Sequence, residues 1–212
     1  GLPPARAAGI VSQPLARARP MRLPLFLVAL AGWTEAVAQN PDVRHSPTEM
    51  IVLAIGCKWL TQIENRADVL LLCGDLTDYG TTEEAHVLAK ELAVVKVPII
   101  AVLGNHDFES GTPEKVVQAL TEVGVKVLDG DSITIGDTGF AGAKGFCGGF
   151  GRGTLGPWGE AGVKAFVQEA LNETMKLETA LARLRTPRRV ALLHYSPVRD
   201  TVIGEPEEIF PF

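Results

Sequence analysis

Two short, wholly apolar stretches, residues 69–73 and 97–103, constrain this chain more than any other feature. A run with no polar position has no solvent face. A strand formed from it must therefore be covered on both sides. Each run breaks abruptly into a polar loop headed by glycine. The first is Gly74-Asp75-Leu76-Thr77-Asp78, and the second is Gly104-Asn105-His106-Asp107. Between them, Thr81-Thr82-Glu83-Glu84 forms a capping box that predicts a helix to about residue 95. Strand, loop, helix and strand in that order predict an α/β layered fold. Ligands of such sheets bind at the carboxyl ends of the strands, where both polar loops emerge.

The alternation continues downstream. Pro98 falls near the start of its run, where a missing donor is tolerated. A helix is predicted over residues 113–123, with Gly124 as its stop. Residues 125–128, 132–135 and 140–144 read as short strands, with Asp129-Gly130-Asp131 as a turn between the first two. Residues 145–160 are rich in glycine and predict a loop. Residues 161–184 predict a long helix, ended by Thr186-Pro187. Residues 189–193 form another apolar strand that delivers His194 at its end.

Upstream, Ser46-Pro47-Thr48-Glu49 is a second helix-start signal. It predicts a helix to about residue 65, with Leu53, Ile55, Trp59, Leu60 and Ile63 on its buried side. Residues 1–45 lack periodicity and are expected to lie outside the core, as a poorly structured or foreign extension. The folded domain is then 46–212. Within the extension, Arg17, Arg19 and Arg22 precede an apolar run at 23–31, and Ala36-Val37-Ala38 follows. This is the outline of a secretory signal. It does not start at the N-terminus and Pro24 interrupts it. A cytoplasmic protein is the expectation, with export through residues 21–38 as the alternative. The run is too short to span a membrane, and no membrane association is expected.

The formal net charge of −5 gives phosphorylated ligands and nucleic acid no general attraction, though a bound cation would reverse the local sign. Cys57, Cys73 and Cys147 are odd in number and show no C-x-x-C spacing, which fits neither a disulfide framework nor a zinc knuckle. Reduced thiols are expected.

The chemistry-bearing residues sit in the loops. Asp75 follows directly on a buried strand, and its two carboxylate oxygens can each face a divalent cation. A turn or helix-capping aspartate would occupy the same position. Asn105 can offer an amide oxygen to a hard cation. His106 can act as a general acid near neutral pH, with Asp107 holding its ring in one tautomer. A polar turn is the plainer reading of these residues. His194 can ligate a metal through a neutral ring nitrogen.

Other motifs carry less. Gly151-Arg152-Gly153-Thr154-Leu155-Gly156 fits a dinucleotide fingerprint in letters only, because Pro157 and Gly159 prevent a helix from opening there. This loop is expected to overhang the site, with Arg152 able to meet a phosphate bidentately. Ser196 lies near His194 but in no G-x-S-x-G turn. Arg183, Arg185, Arg188 and Arg189 suit the end of a helix, and no stable nucleic-acid partner is predicted.

The pair GDLTD and GNHD, separated by a helix and a strand, resembles the calcineurin-like metallophosphoesterase superfamily over roughly residues 47–212. The resemblance implies a layered sandwich of two mixed sheets flanked by helices. It implies two divalent ions, manganese, iron or zinc, bridged by Asp75, with Asn105 and His194 on the second ion. It gives His106 and Asp107 the leaving-group role, and Asp78 a supporting place behind the ligands. The substrate class implied is a phosphorylated small molecule or nucleotide. Two departures matter. The family's D-x-H, which holds the first metal, is absent: Asp42-Val43-Arg44-His45 has the wrong spacing, and residues 51–55 lead into Gly56-Cys57-Lys58, where lysine would repel a cation. The closing G-H-x-H is absent too. Weak metal occupancy, low turnover and a domain incomplete at both ends are therefore expected.

Overall fold

A computed structural model describes residues 27–29, 51–52, 63 and 67–204. Among these residues eight strands form two sheets. The first has five strands in the order β2-β1-β3-β4-β5: β1 is Leu27–Ala29, β2 Ile51–Val52, β3 Leu70–Cys73, β4 Ile99–Val102 and β5 Lys126–Val127. All its pairings are parallel, with Leu70 opposite Ile99 and Cys73 opposite Val102. The second has three strands in the order β6-β7-β8: Asp131–Ile135, Thr138–Gly142 and Arg188–Leu192. It is mixed, β6 running antiparallel and β8 parallel to β7. Helices α1 (Thr82–Leu92), α2 (Pro113–Glu122) and α3 (Ala161–Arg183) cover the outside. The expected layered α/β fold is present, but only the smaller sheet is mixed as expected; among the described residues the larger one is wholly parallel, as strands joined by crossover helices are.

Side-chain alternation explains the layering. On β3 and β4, Leu70, Leu72, Ile99 and Ala101 face one way, packing with Leu88 and Leu92 of α1 and with Val116 and Leu120 of α2. Leu71, Ile100 and Val102 face the other way and meet Leu128, Phe140 and Leu192 of the second sheet. Successive side chains of a strand point to opposite faces, so two buried faces require an unbroken apolar run. On the far side of the second sheet, Ala141 packs against Ala180 and Leu184 at the end of α3.

Local signals hold where their partners are close in sequence. Glu84 N–H donates to Thr81 Oγ1 at 3.3 Å, and the Thr81 N–H donates back to Glu84 Oε2 at 3.0 Å. This is the capping box that begins α1. The Asp129–Asp131 turn does not close a hairpin. It carries the chain from β5, committed to β4 by parallel pairing, into the second sheet. The hairpin follows at Gly136-Asp137, where Ile135 pairs with Thr138.

Two expectations fail upstream. Ile51 and Val52, placed in a helix by the Ser46-Pro47-Thr48-Glu49 signal, pair as a strand with Leu27 and Val28. Leu27–Ala29, expected outside the core, is an interior strand of the first sheet, flanked by β2 and β3. Pairing with distant strands outweighs the local helix signal and draws in an apolar segment that composition alone sets aside. Ile63 is buried, as expected. The remainder of that helix, with Leu53, Ile55, Trp59 and Leu60, lies outside the described residues. So do Cys57 and the signal-like segment apart from β1. Among the described residues no helix is long and apolar enough to cross a membrane.

The packing generates a prediction. Ile100 is fully buried between the sheets, whereas Val87 on α1 is 65% exposed. Ile100→Ala should cost about 2–5 kcal/mol in urea unfolding. Val87→Ala should stay within about 0.5 kcal/mol.

Candidate metal centre

Three loops meet at the carboxyl ends of β3, β4 and β8, and each has a local reason for its shape. After β3, Gly74 takes φ +92° and Asp75 φ +49°. The left-handed region is costly for a residue with a side chain, so Asp75 is held there by its surroundings. Gly74 is also a point of close approach: a Cβ there would stand 2.5 Å from His194 Nδ1. After β4, a Cβ on Gly104 would collide with the Asp75 carboxylate and backbone nitrogen. Only glycine lets the two loops touch at these places.

His194 follows β8 and ties the second sheet to the first. Its backbone N–H donates to the Lys144 carbonyl at 3.0 Å. Its ring Nδ1 lies 3.0 Å from the Cys73 carbonyl at the end of β3. A carbonyl only accepts, so Nδ1 carries the hydrogen. Nε2 then faces Asn105 Oδ1 at 2.9 Å and Asp75 Oδ1 at 3.4 Å. The His194 and Asp75 side chains are only 12% and 14% exposed.

In a neutral ring with Nδ1 protonated, Nε2 bears a lone pair. Two oxygens, one amide and one carboxylate, then stand against that lone pair. They repel one another unless positive charge sits between them, as a proton or a cation. An imidazole nitrogen, a carboxylate oxygen and an amide oxygen form a donor set that suits a divalent metal. The set is thin. Among the described residues no three His, Cys, Asp or Glu side chains gather as ligands, and the third donor here is an asparagine.

Asp107 does not do what its position beside His106 suggests. It is fully buried, and its carboxylate accepts four hydrogen bonds from the backbone and side chain of the two loops. Oδ2 takes the N–H of Leu76 at 3.2 Å and of Gly104 at 2.8 Å. Oδ1 takes the Thr77 N–H at 2.8 Å and the Thr77 hydroxyl at 2.7 Å. Asp107 therefore clamps the β3 loop to the β4 loop instead of holding the His106 ring.

The partner of His106 is Asp78. His106 Nδ1 lies 2.8 Å from the Asp78 carbonyl and 3.8 Å from its Oδ1. By the same carbonyl argument Nδ1 carries a hydrogen, leaving Nε2 to gain or lose a proton. The His106 N–H also donates to Asp75 Oδ1 at 3.0 Å, which couples it to the ligand set. The Asp78 hydrogen bond, helped by the charges of Asp75, Asp78 and Glu109, raises the His106 pKa against a smaller opposing effect of burial.

Of the remaining sequence candidates, Arg152 stands exposed on the one-turn 3-10 helix Gly151–Gly153 and takes no part in the hydrogen bonds that join the three loops. Cys73 and Cys147 are free, and burial pushes the Cys73 thiol up to about 11. Sequence reasoning missed the buried Glu173, which accepts the Gly145 N–H at 2.9 Å and so anchors the chain near His194. Its place on a long helix, among other charged residues, gives no signal of that role.

Two predictions follow from these contacts. Asp107→Ala leaves three backbone N–H groups without their acceptor and should destabilise the metal-free protein by about 3–5 kcal/mol in chemical denaturation. Asp107→Asn should fall between, because its amide turns donors toward donors. If instead Asp107 only held the His106 ring, neither change would alter stability appreciably. Second, the His106 imidazole should titrate above the usual value of about 6.5 when followed by NMR. A raised folded pKa stabilises fully below the unfolded value. That contribution fades as pH rises through the folded one. Unfolding midpoints of wild type and His106→Ala should therefore converge on the alkaline side.

No curated protein matches the chain. One solved crystal structure shares 15% identity and a TM-score of 0.47, covering 69% of this chain. The chain spans 65% of that structure's length. Residues 52–201, well over half of the chain, match the family model of the calcineurin-like phosphoesterases and include all three loops. With the layered two-sheet fold and that match, the chain is a member of the calcineurin-like phosphoesterase family.

Proposed function

We propose that this chain hydrolyses phosphoesters with a divalent metal held by Asp75, Asn105 and His194. One observation carries the reading: His194 Nε2 faces both Asn105 Oδ1 and Asp75 Oδ1 while Nδ1 of that ring is committed to the Cys73 carbonyl. When bound, the metal supplies an activated water and draws charge from the phosphoryl oxygens.

The chain's own residues do the rest. Asp75 contributes the one anionic oxygen of the set, and the His106 N–H fixes that oxygen in place. His106 is half-exposed beside it, open to a ligand from solvent. With Nδ1 donating to Asp78, its Nε2–H is the group free to protonate a departing alkoxide. The Asp78 hydrogen bond raises the His106 pKa and so favours the protonated ring. Asp107 acts at one remove, by holding the two loops together. Arg152, on its exposed turn, is proposed to meet the substrate phosphate from the loop side.

A second reading has an observation in its favour. Only one carboxylate and one imidazole stand in the donor set, with no D-x-H anywhere in the chain. A weakly metallated protein of this family that binds phosphorylated ligands without turnover fits that thin set. Either way the ligand class is a phosphorylated small molecule or nucleotide.

The test is hydrolysis of bis(p-nitrophenyl) phosphate by the manganese-loaded chain. Turnover should require metal. His106→Ala should keep the metal and lose about 100- to 10,000-fold in kcat. His194→Ala should lose metal and turnover together. Metal binding without turnover favours the second reading.

A further inference from the structure

Lys144 sits where the centre has no other described cation. Its carbonyl receives the N–H groups of His194 and Tyr195 at 3.0 and 3.2 Å, which fixes it in register with the metal-centre histidine. Its ammonium lies 4.8 Å from the ring centre of Phe146, 5.4 Å from Tyr195 and 5.6 Å from Phe108. Phe108 is two residues past His106, and Tyr195 is one past His194. The lysine is thus held against the flanks of both histidine loops.

The cage is itself braced. Phe146 packs edge-on against Phe166 of α3 at 4.9 Å and tilts against Tyr195 at 5.8 Å. Tyr195 packs edge-on against His194 at 5.2 Å. Ring faces attract a cation through their quadrupole. Among the described residues no carboxylate pairs with Lys144, in contrast to Lys176, which has both Asp129 and Glu173. The Gly145 carbonyl accepts one N–H at 2.8 Å, and Glu173 in turn pins the Gly145 N–H. Two of the three ammonium hydrogens remain for a ligand. A half-buried positive charge caged by rings, with no carboxylate partner among the described residues, is built to take an anion from solution.

We propose that Lys144 is a substrate-binding residue of this centre, its ammonium donating to a non-bridging oxygen of the phosphorylated ligand. The proposal rests on the phosphoester reading above. It assigns the lysine to recognition rather than to the proton transfer given to His106. Rings on three sides limit where the ammonium can move, so it selects for an anionic group at one place beside the metal ligands.

The experiment uses the full manganese-loaded chain with two readouts. One is calorimetric binding of inorganic phosphate, and the other is KM and kcat for bis(p-nitrophenyl) phosphate. Lys144→Met keeps the stem in the cage and removes the charge. It should weaken phosphate binding and raise KM by about tenfold or more, while kcat and the melting temperature change little. Lys144→Arg keeps the charge and stacks on rings, so it should restore most of the affinity. If methionine disturbs the fold, Lys144→Gln is the substitute. Unchanged phosphate binding in Lys144→Met overturns the proposal. So does equal impairment in the arginine variant, which would mark a packing role, and so does a wild-type chain that binds no phosphate. A wild-type chain that binds phosphate through Lys144 without hydrolysing the ester keeps this proposal and overturns the hydrolase reading alone.

Discussion

Four donors converge on one buried carboxylate, and the geometry of the centre depends on it. Asp107 lies at the base of the β4 loop yet spends its oxygens on Leu76, Thr77 and Gly104. An ionised group without exposure is tolerated only when its lone pairs are filled, and here they are. The result is a rigid seam between the ends of two adjacent parallel strands. Asp75, in a left-handed conformation that it would not adopt alone, is held on that seam with Gly104 beneath it.

A second tie brings in the other sheet. The hydrogen bond between His194 and the Cys73 carbonyl spans 121 positions of sequence, and it decides more than placement. By committing Nδ1, it determines which nitrogen points at Asp75 and Asn105. The same logic recurs at His106, where the Asp78 carbonyl takes Nδ1 and leaves Nε2 for chemistry. Two backbone carbonyls thus each engage Nδ1 of a histidine and leave its Nε2 facing outward. Such tautomer control from outside the ligand set is a general property of metal and acid–base histidines.

How much of this was legible in the sequence follows from how far apart the partners lie. The β3 and β4 strands could be read because burial on both faces leaves an unbroken apolar run. The start of α1 could be read because Thr81 and Glu84 answer each other within one turn. That Asp75, Asn105 and His194 lie in loops at one sheet edge could be read too, because each comes two or three residues after a strand end. Ile51–Val52 could not. Two residues carry no periodicity, and the nearby capping signal points the wrong way. Asp107 was misread because adjacency to His106 suggested contact, whereas its partners are mostly some 30 residues upstream. The cage around Lys144 draws its rings from three separate segments, none of which announces the others.

Whether Asp75, Asn105 and His194 share one cation is read from anomalous diffraction by crystals soaked in manganese. Shared coordination puts a manganese peak within bonding distance of Asp75 Oδ1, Asn105 Oδ1 and His194 Nε2, with Nδ1 still on the Cys73 carbonyl. A peak elsewhere, or none at saturating metal while those three atoms keep their places, would contradict it.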